Sequence, residues 1–280
     1  MKFRLLARTK YANDPWRTIL ILVAAIIVSN SLIVFSNQDI RDFFTNWSIG
    51  TAAAAALSLS ILAVITAYKH RIDRFFVYAQ IIFTVGLASW LVAEVTWAYY
   101  QLVLKIGTPF PSSADAFWLS GYGFFTYFMF RIYNLFSKGK EKFLVILVSL
   151  ATAIILGYIL NLTFGIADLL SAQQGSRAWL ISIAYPILDG ILLVPAVLIL
   201  WSLRGKNVVS ANWSLLALSI VLVTVGDIGF GYSAVIDKAG KEEWIWDLFY
   251  NSSYLVMAAA FFLQSKVFAK EGHTEIIVQK

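Results

Sequence analysis

Pro109-Phe-Pro-Ser-Ser-Ala-Asp-Ala-Phe-Trp-Leu-Ser-Gly-Tyr122 enters an apolar helix through two prolines, two serines and an acid, and it has an echo near the far end of the chain. Asp247-Leu-Phe-Tyr-Asn-Ser-Ser-Tyr254 aligns without a gap on Asp115-Ala-Phe-Trp-Leu-Ser-Gly-Tyr122, so that Asp115 meets Asp247, Phe117 meets Phe249, Ser120 meets Ser252 and Tyr122 meets Tyr254. Phe130 falls opposite Phe262 in the same frame. The apolar run before each copy also holds an acid: Glu94 in Glu-Val-Thr-Trp-Ala-Tyr and Asp227 in Asp-Ile-Gly-Phe-Gly-Tyr, which sets Trp97 opposite Phe230 and Tyr99 opposite Tyr232. The pattern predicts a two-helix unit used twice.

Working outward, 60% of residues are apolar, 16% aromatic and only 14% charged, with a mean hydropathy of +0.75. A soluble domain carries roughly 25% charged residues, so the chain is read as an integral membrane protein whose first partner is the lipid bilayer. The absence of cysteine excludes disulfides, thiolate metal sites and cysteine nucleophiles. The net charge of +6 does not point to nucleic acid, because the basic residues sit in short connections between apolar runs.

Crossing about 30 Å of hydrocarbon takes some 20 apolar residues. Runs of that kind recur at 17–36, 47–67, 75–102, 116–136, 143–164, 179–203, 213–235 and 245–265, which predicts an all-α protein of eight spans. The first run is long and lacks a small-residue cleavage site, so it reads as a retained anchor rather than a signal peptide. Most of the 22 basic residues fall in the N-terminal tail, at Lys69/Arg71/Arg74, Lys138/Lys140/Lys142 and Arg204/Lys206, and in the C-terminal tail. With eight spans these share one side, which places both termini in the cytoplasm of a cell-membrane protein. The domain organisation is then a tail at 1–16, a first membrane repeat at 17–136, a second at 143–265 and a tail at 266–280. Four spans restore the starting side, so the repeats are expected to be parallel, in a 4+4 arrangement. Phe164 to Ala178 is expected as the longest outer loop. Asn46-Trp-Ser48 and Asn161-Leu-Thr163 match the glycosylation pattern close to the bilayer.

A carboxylate deep in a bilayer costs about 2.5–3.5 kcal/mol on insertion scales, so such residues face a bundle interior, a cavity or a partner. Glu94 and Asp227 fall in the outer third of outward-going helices, Asp115 and Asp247 at the outer entrances of returning ones, and Asp189 near the middle of the sixth run. All five lie at mid-depth or outside, which predicts a polar pocket open outward, walled by Ser112, Ser113, Ser120, Tyr122, Asn251, Ser252, Ser253 and Tyr254. Trp97, Trp118 and Tyr250 would supply flat apolar surfaces, while Pro186 and Pro195 free backbone carbonyls near Asp189. Plainer readings fit the same residues. Asp115 and Asp247 match helix N-caps, Glu94 and Asp227 match internal hydrogen bonding to Tyr or Trp, and Ala52 to Ala56 is a close helix contact.

The two histidines, His70 and His273, lie outside every run, so no axial haem ligand, His-rich metal site or His-based serine hydrolase is expected. No lysine stands in mid-span for a retinal Schiff base. No cofactor or resident metal is therefore expected, and the chain is read as a non-enzyme. Asp189 with Thr-Val-Gly-Asp227 faintly resembles the paired aspartates of intramembrane aspartyl proteases, but position 224 is Thr, Tyr185 is not adjacent to Asp189 and no Pro-Ala-Leu segment follows.

Trp97-Ala-Tyr-Tyr100, the Pro109 to Tyr122 stretch, Tyr185-Pro-Ile-Leu-Asp189 and Trp246-Asp-Leu-Phe-Tyr250 together resemble the multi-span N-terminal sensor regions of bacterial and archaeal signalling proteins, over residues 75–265. In those proteins a diguanylate cyclase, phosphodiesterase or histidine kinase module commonly follows, and none is present up to Lys280. The resemblance implies a sensor-like or accessory module that binds a small molecule, lipid group or cation and signals through a separate cytoplasmic protein. The alternatives are an ion-coupled carrier using Glu94, Asp189 and Asp227, or a structural subunit of a larger membrane complex.

Overall fold

The computed structural model describes residues 15–106, 109–136, 142–204, 211–236 and 244–278, with backbone alone at 39, 135–136, 159–176, 179, 234–236 and 271–278. The chain is helical throughout: α1 (Pro15–Val34), α2 (Gln38–Lys69), α3 (Arg74–Ala98) continued by a π-helical turn (Tyr99–Leu104), α4 (Ser113–Phe136), α5 (Lys142–Leu203), α6 (Ala211–Ile236) and α7 (Trp244–Val278). Their ends follow local chemistry. Arg71 takes a left-handed conformation (φ 53°) after α2, and Asp73 caps α3 by accepting the Phe75 N–H at 2.8 Å. Lys105 stops the π-helical turn in the same left-handed region (φ 49°).

The expectation of eight spans is corrected. Six helical segments among the described residues are long and apolar enough to cross a membrane: Pro15–Val34, Ile40–Lys69, Arg74–Leu104, Leu180–Leu203, Ala211–Ser233 and Trp244–Lys270. Two of the expected spans fall short, and with them the 4+4 count that rested on eight. The run at 116–136 belongs to α4, where Ser, Gly, Thr and Tyr alternate with the apolar residues and Arg131 adds a charge. The run at 143–164 has only the shorter apolar segment Lys142–Tyr158 among the described residues. The expected outer loop at 164–178 is instead part of α5. A Cβ placed on Gly190 would lie 2.3 Å from Leu156 and 3.2 Å from Thr152, whereas a straight helix would hold those residues roughly 50 Å apart. The chain therefore doubles back between Leu156 and Gly190. Of the two expected tails, residues 1–14 lie outside the described residues, and at the other end α7 runs on as helix to Val278.

Side-chain pairings fix the directions of the helices. Arg41 stacks 4.5 Å from the Trp244 ring, so α2 and α7 start at the same end. α1 runs against α7, with Ser29 and Asn30 bonded to Asn251 and Ser252 and with Leu22 packed near Val256 and Ala259. α3 runs against α2 through Ser60, Gln80 and Thr84, and against α4 through Phe83 with Phe125 and Phe128. Ala52, Ala53 and Ala56 of α2 are fully covered, as short side chains allow when backbones approach closely.

The bundle has two unlike halves. Where α3 begins and α7 ends, the core is aromatic: Phe83 meets Phe125, Phe128 and Phe261 at centroid distances of 4.5–5.3 Å. Where α2, α4 and α7 begin, the interior holds carboxylates and hydroxyls. Close approach between α3 and α4 depends on Gly121, since a Cβ there would sit 2.3 Å from the Trp90 ring, and α6 meets α7 at Gly229, where it would sit 2.0 Å from Trp246.

Gly121→Ala and Gly229→Ala are expected to lower stability by about 1–3 kcal/mol through overpacking. Gly123→Ala and Gly231→Ala, with nothing within 4 Å, are expected to be neutral or slightly stabilising. Thermal melting of the four detergent-solubilised variants checks this; equal effects at all four glycines would contradict the packing described.

Candidate functional site

The site begins with the turn into α4. Asp115 stands in the first turn, and its Oδ2 accepts the Ser112 backbone N–H at 2.6 Å and the Ser112 hydroxyl at 2.9 Å. An acid that reaches back to the residue preceding the helix closes the N-terminus as a capping box does. Its other oxygen, Oδ1, accepts the Tyr185 hydroxyl of α5 at 2.8 Å. The plainer capping reading and a role in the interior thus both describe Asp115. The π-helical turn is tied to the same entrance by a 2.8 Å bond between the Tyr100 and Ser113 hydroxyls.

Glu94, on α3, presents Oε1 to two donors, the Trp118 indole N–H at 3.2 Å and the Tyr254 hydroxyl at 2.8 Å. Trp90 supports this pair by donating its indole N–H to the Trp118 carbonyl at 2.9 Å, and Trp97 packs edge-on against Trp118 at 5.5 Å. Both donors meet the same oxygen, and each of these contacts has a hydrogen of its own.

Asp189 and Asp227 are arranged differently. The Tyr122 hydroxyl lies 2.6 Å from Asp189 Oδ1 and 2.6 Å from Asp227 Oδ2, and Tyr250 donates to Asp227 Oδ1 at 2.7 Å. The two bridged carboxylate oxygens are at most about 5.2 Å apart. A tyrosine hydroxyl carries a single hydrogen. Tyr122 can give it fully to one carboxylate only. Two unit charges at such a separation repel by about 3 kcal/mol even at an effective dielectric constant of 20. Asp189 and Tyr122 are each only 1% exposed. No basic side chain is among the groups acting on either aspartate among the described residues.

A reciprocity runs through these bonds. Glu94 on α3 takes one donor from α4 (Trp118) and one from α7 (Tyr254); Asp227 on α6 takes one from α7 (Tyr250) and one from α4 (Tyr122). With Asp189 and Tyr185, both on α5, five helices meet in this polar layer.

Of the residues expected from sequence, Glu94, Asp115, Asp189, Asp227, Tyr122 and Tyr254 are held in this layer, and Trp97 flanks it. Asp247 stands in the first turn of α7, close enough to act electrostatically on Tyr250. Several expected wall residues instead join helices elsewhere: Ser120 bonds Ser89 at 2.6 Å, while Asn251 and Ser252 bond Ser29 and Asn30 of α1. Trp118 and Tyr250, expected as flat apolar surfaces, act as donors. Tyr185 and Asn30 were not singled out. Tyr185 sits one turn before Asp189, a spacing that shares a helix face, and Ser29-Asn30-Ser31 interrupts an otherwise apolar run.

Among the described residues, no three His, Asp or Glu side chains gather as metal ligands. Fold and layer together define a polytopic, all-helical membrane protein with a buried network of carboxyls and aromatic donors. Comparison with protein families, with curated proteins and with solved structures found no match for this chain.

Tyr254→Phe removes one donor from Glu94 and is expected to cost about 1–3 kcal/mol. Combined with Glu94→Gln it is expected to be non-additive by about 0.5–3 kcal/mol. Tyr78→Phe, on an exposed tyrosine, serves as the neutral control. A double-mutant cycle on denaturation midpoints reads the coupling, and strict additivity would contradict the bond.

Proposed function

We propose that the protein is a sensor-like or accessory membrane module whose responsive element is the carboxyl and tyrosine layer. The observation that carries this reading is the placement of Tyr122 between Asp189 and Asp227, because one hydroxyl then joins α4, α5 and α6. A group that competes for these bonds changes how three helices pack, and the change reaches their ends.

Among the described residues, Arg41 Nε, Thr45 Oγ1 and Ser48 Oγ within the first three turns of α2 and Asn251 Oδ1 in the second turn of α7 are buried without a hydrogen-bond partner, toward the end of the bundle that holds the layer, and orphaned polar atoms of this kind cost about 1–3 kcal/mol each. Arg17, Lys69, Arg71, Arg74, Arg204, Lys266 and Lys270 gather at the opposite, aromatic end of the bundle. The positive-inside rule turns that end toward the cytoplasm and the polar layer outward, with output passing to a separate signalling protein or to other membrane subunits.

The pairing of Asp189 with Asp227 favours a second reading, an aspartyl protease dyad, which requires two carboxyls on neighbouring helices. The Tyr122 hydroxyl weighs against it by occupying the bridging position that an attacking water needs. An ion-coupled carrier would need these acids to reach both ends, and the Phe83, Phe125, Phe128 and Phe261 layer closes one of them.

Native mass spectrometry with lipid and small-molecule extraction, on wild type, Asp189→Asn and Glu94→Gln, tests the ligand reading. A co-purifying compound is expected in the wild type and lost from both variants. No compound, together with wild-type melting of both variants, overturns it.

A further inference from the structure

The geometry points to a proton-binding site made of Tyr122, Asp189 and Asp227, in which two carboxyls on α5 and α6 share one exchangeable proton. Hydrogen counting carries the inference. Tyr122 contacts both acids at 2.6 Å. The hydroxyls of Tyr122 and Tyr250 bring two hydrogens to the three contacts, and Tyr250 spends its own on Asp227 Oδ1. The single hydrogen of Tyr122 cannot fill both of its contacts. A proton on one carboxyl completes the set, because its O–H donates to the tyrosine oxygen while Tyr122 donates to the other acid.

With that proton the pair carries one negative charge. Releasing it to water leaves two, with only the Tyr122 hydrogen between them. Glu94 offers a contrast within the same layer, since each of its two contacts has a donor of its own.

Among the described residues, nothing replaces the proton: the titratable groups acting with the pair are Glu94 from α3, Tyr122 from α4, Tyr185 from α5, and Tyr250 and Tyr254 from α7, all of them acids or phenols. Loss of the proton therefore adds repulsion between α5 and α6 at the level where Tyr122 of α4 joins them. Proton occupancy and helix packing are linked in both directions. This consequence rests on the reading of the layer as the responsive element; the proton site itself does not.

Infrared difference spectroscopy on the full chain in lipid nanodiscs tests the site, using the carbonyl stretch that a protonated carboxyl has and a carboxylate lacks. The wild type near neutral pH is expected to show this band, to shift it when grown on 13C-labelled aspartate, and to lose it reversibly as pH is raised. Asp189→Asn and Asp227→Asn are expected to abolish the band, and Glu94→Gln to keep it. Tyr122→Phe keeps both carboxyls and is expected to shift the band by removing its hydrogen-bond partner. Absence of an aspartate band in the labelled wild type overturns the proposal without any substitution, as does a band that survives both Asp→Asn changes or is unmoved in Tyr122→Phe. A band with no extracted compound removes the small-molecule reading and leaves the proton site standing; a compound without the band does the reverse.

Discussion

The hydroxyl of Tyr122 is the contact on which this arrangement turns. It sits on α4, which by composition is among the least suited of the helices to lipid, and it reaches two carboxyls that no cation among the described residues balances. An unpaired acid in hydrocarbon would be driven to the membrane edge or would exclude its helix from the bilayer. Here each acid instead holds its helix to a neighbour. α4 is covered along one face by α3 and α5, so Ser120, Gly121 and Tyr122 become contacts between helices.

That arrangement explains the division of the bundle into two halves. Aromatic rings at 4.5–5.3 Å fill the half away from the carboxylates, and their packing is worth about 0.5–1.5 kcal/mol per pair beyond burial. The other half exchanges apolar filling for directional bonds. Such bonds leave little tolerance, since losing one donor strands a buried carboxyl. A layer of this kind specifies how helices sit more sharply than aliphatic packing does, and it responds to anything that changes its hydrogen count.

The sequence made a good part of this legible. Mean hydropathy and charge identified a helical membrane protein, and acids inside apolar runs marked Glu94, Asp189 and Asp227 as residues that must face inward. The aligned Asp and Tyr positions drew attention to Tyr122 and Tyr254, both of which lie at carboxyls. The span count did not survive. Apolar length overlooks the Ser, Gly, Thr, Tyr and Arg131 that punctuate α4 and take that run below the hydropathy of a membrane span. Trp118 and Tyr250 were read as flat surfaces because a sequence gives no direction for an indole N–H or a phenolic O–H.

What the chain determined by itself is therefore its solvent and its inventory: residues that belong in a bilayer, a few carboxyls placed where water is scarce, and enough Tyr and Trp to serve them. Which donor meets which acid was decided only by the tertiary structure. Glu94 and Tyr254 are 160 residues apart and Tyr122 and Asp227 are 105 apart, yet they meet at 2.8 Å and 2.6 Å. The physical reason is that hydrogen bonds act over about 3 Å and depend on direction, and both are fixed by how whole helices cross, which no local spacing encodes.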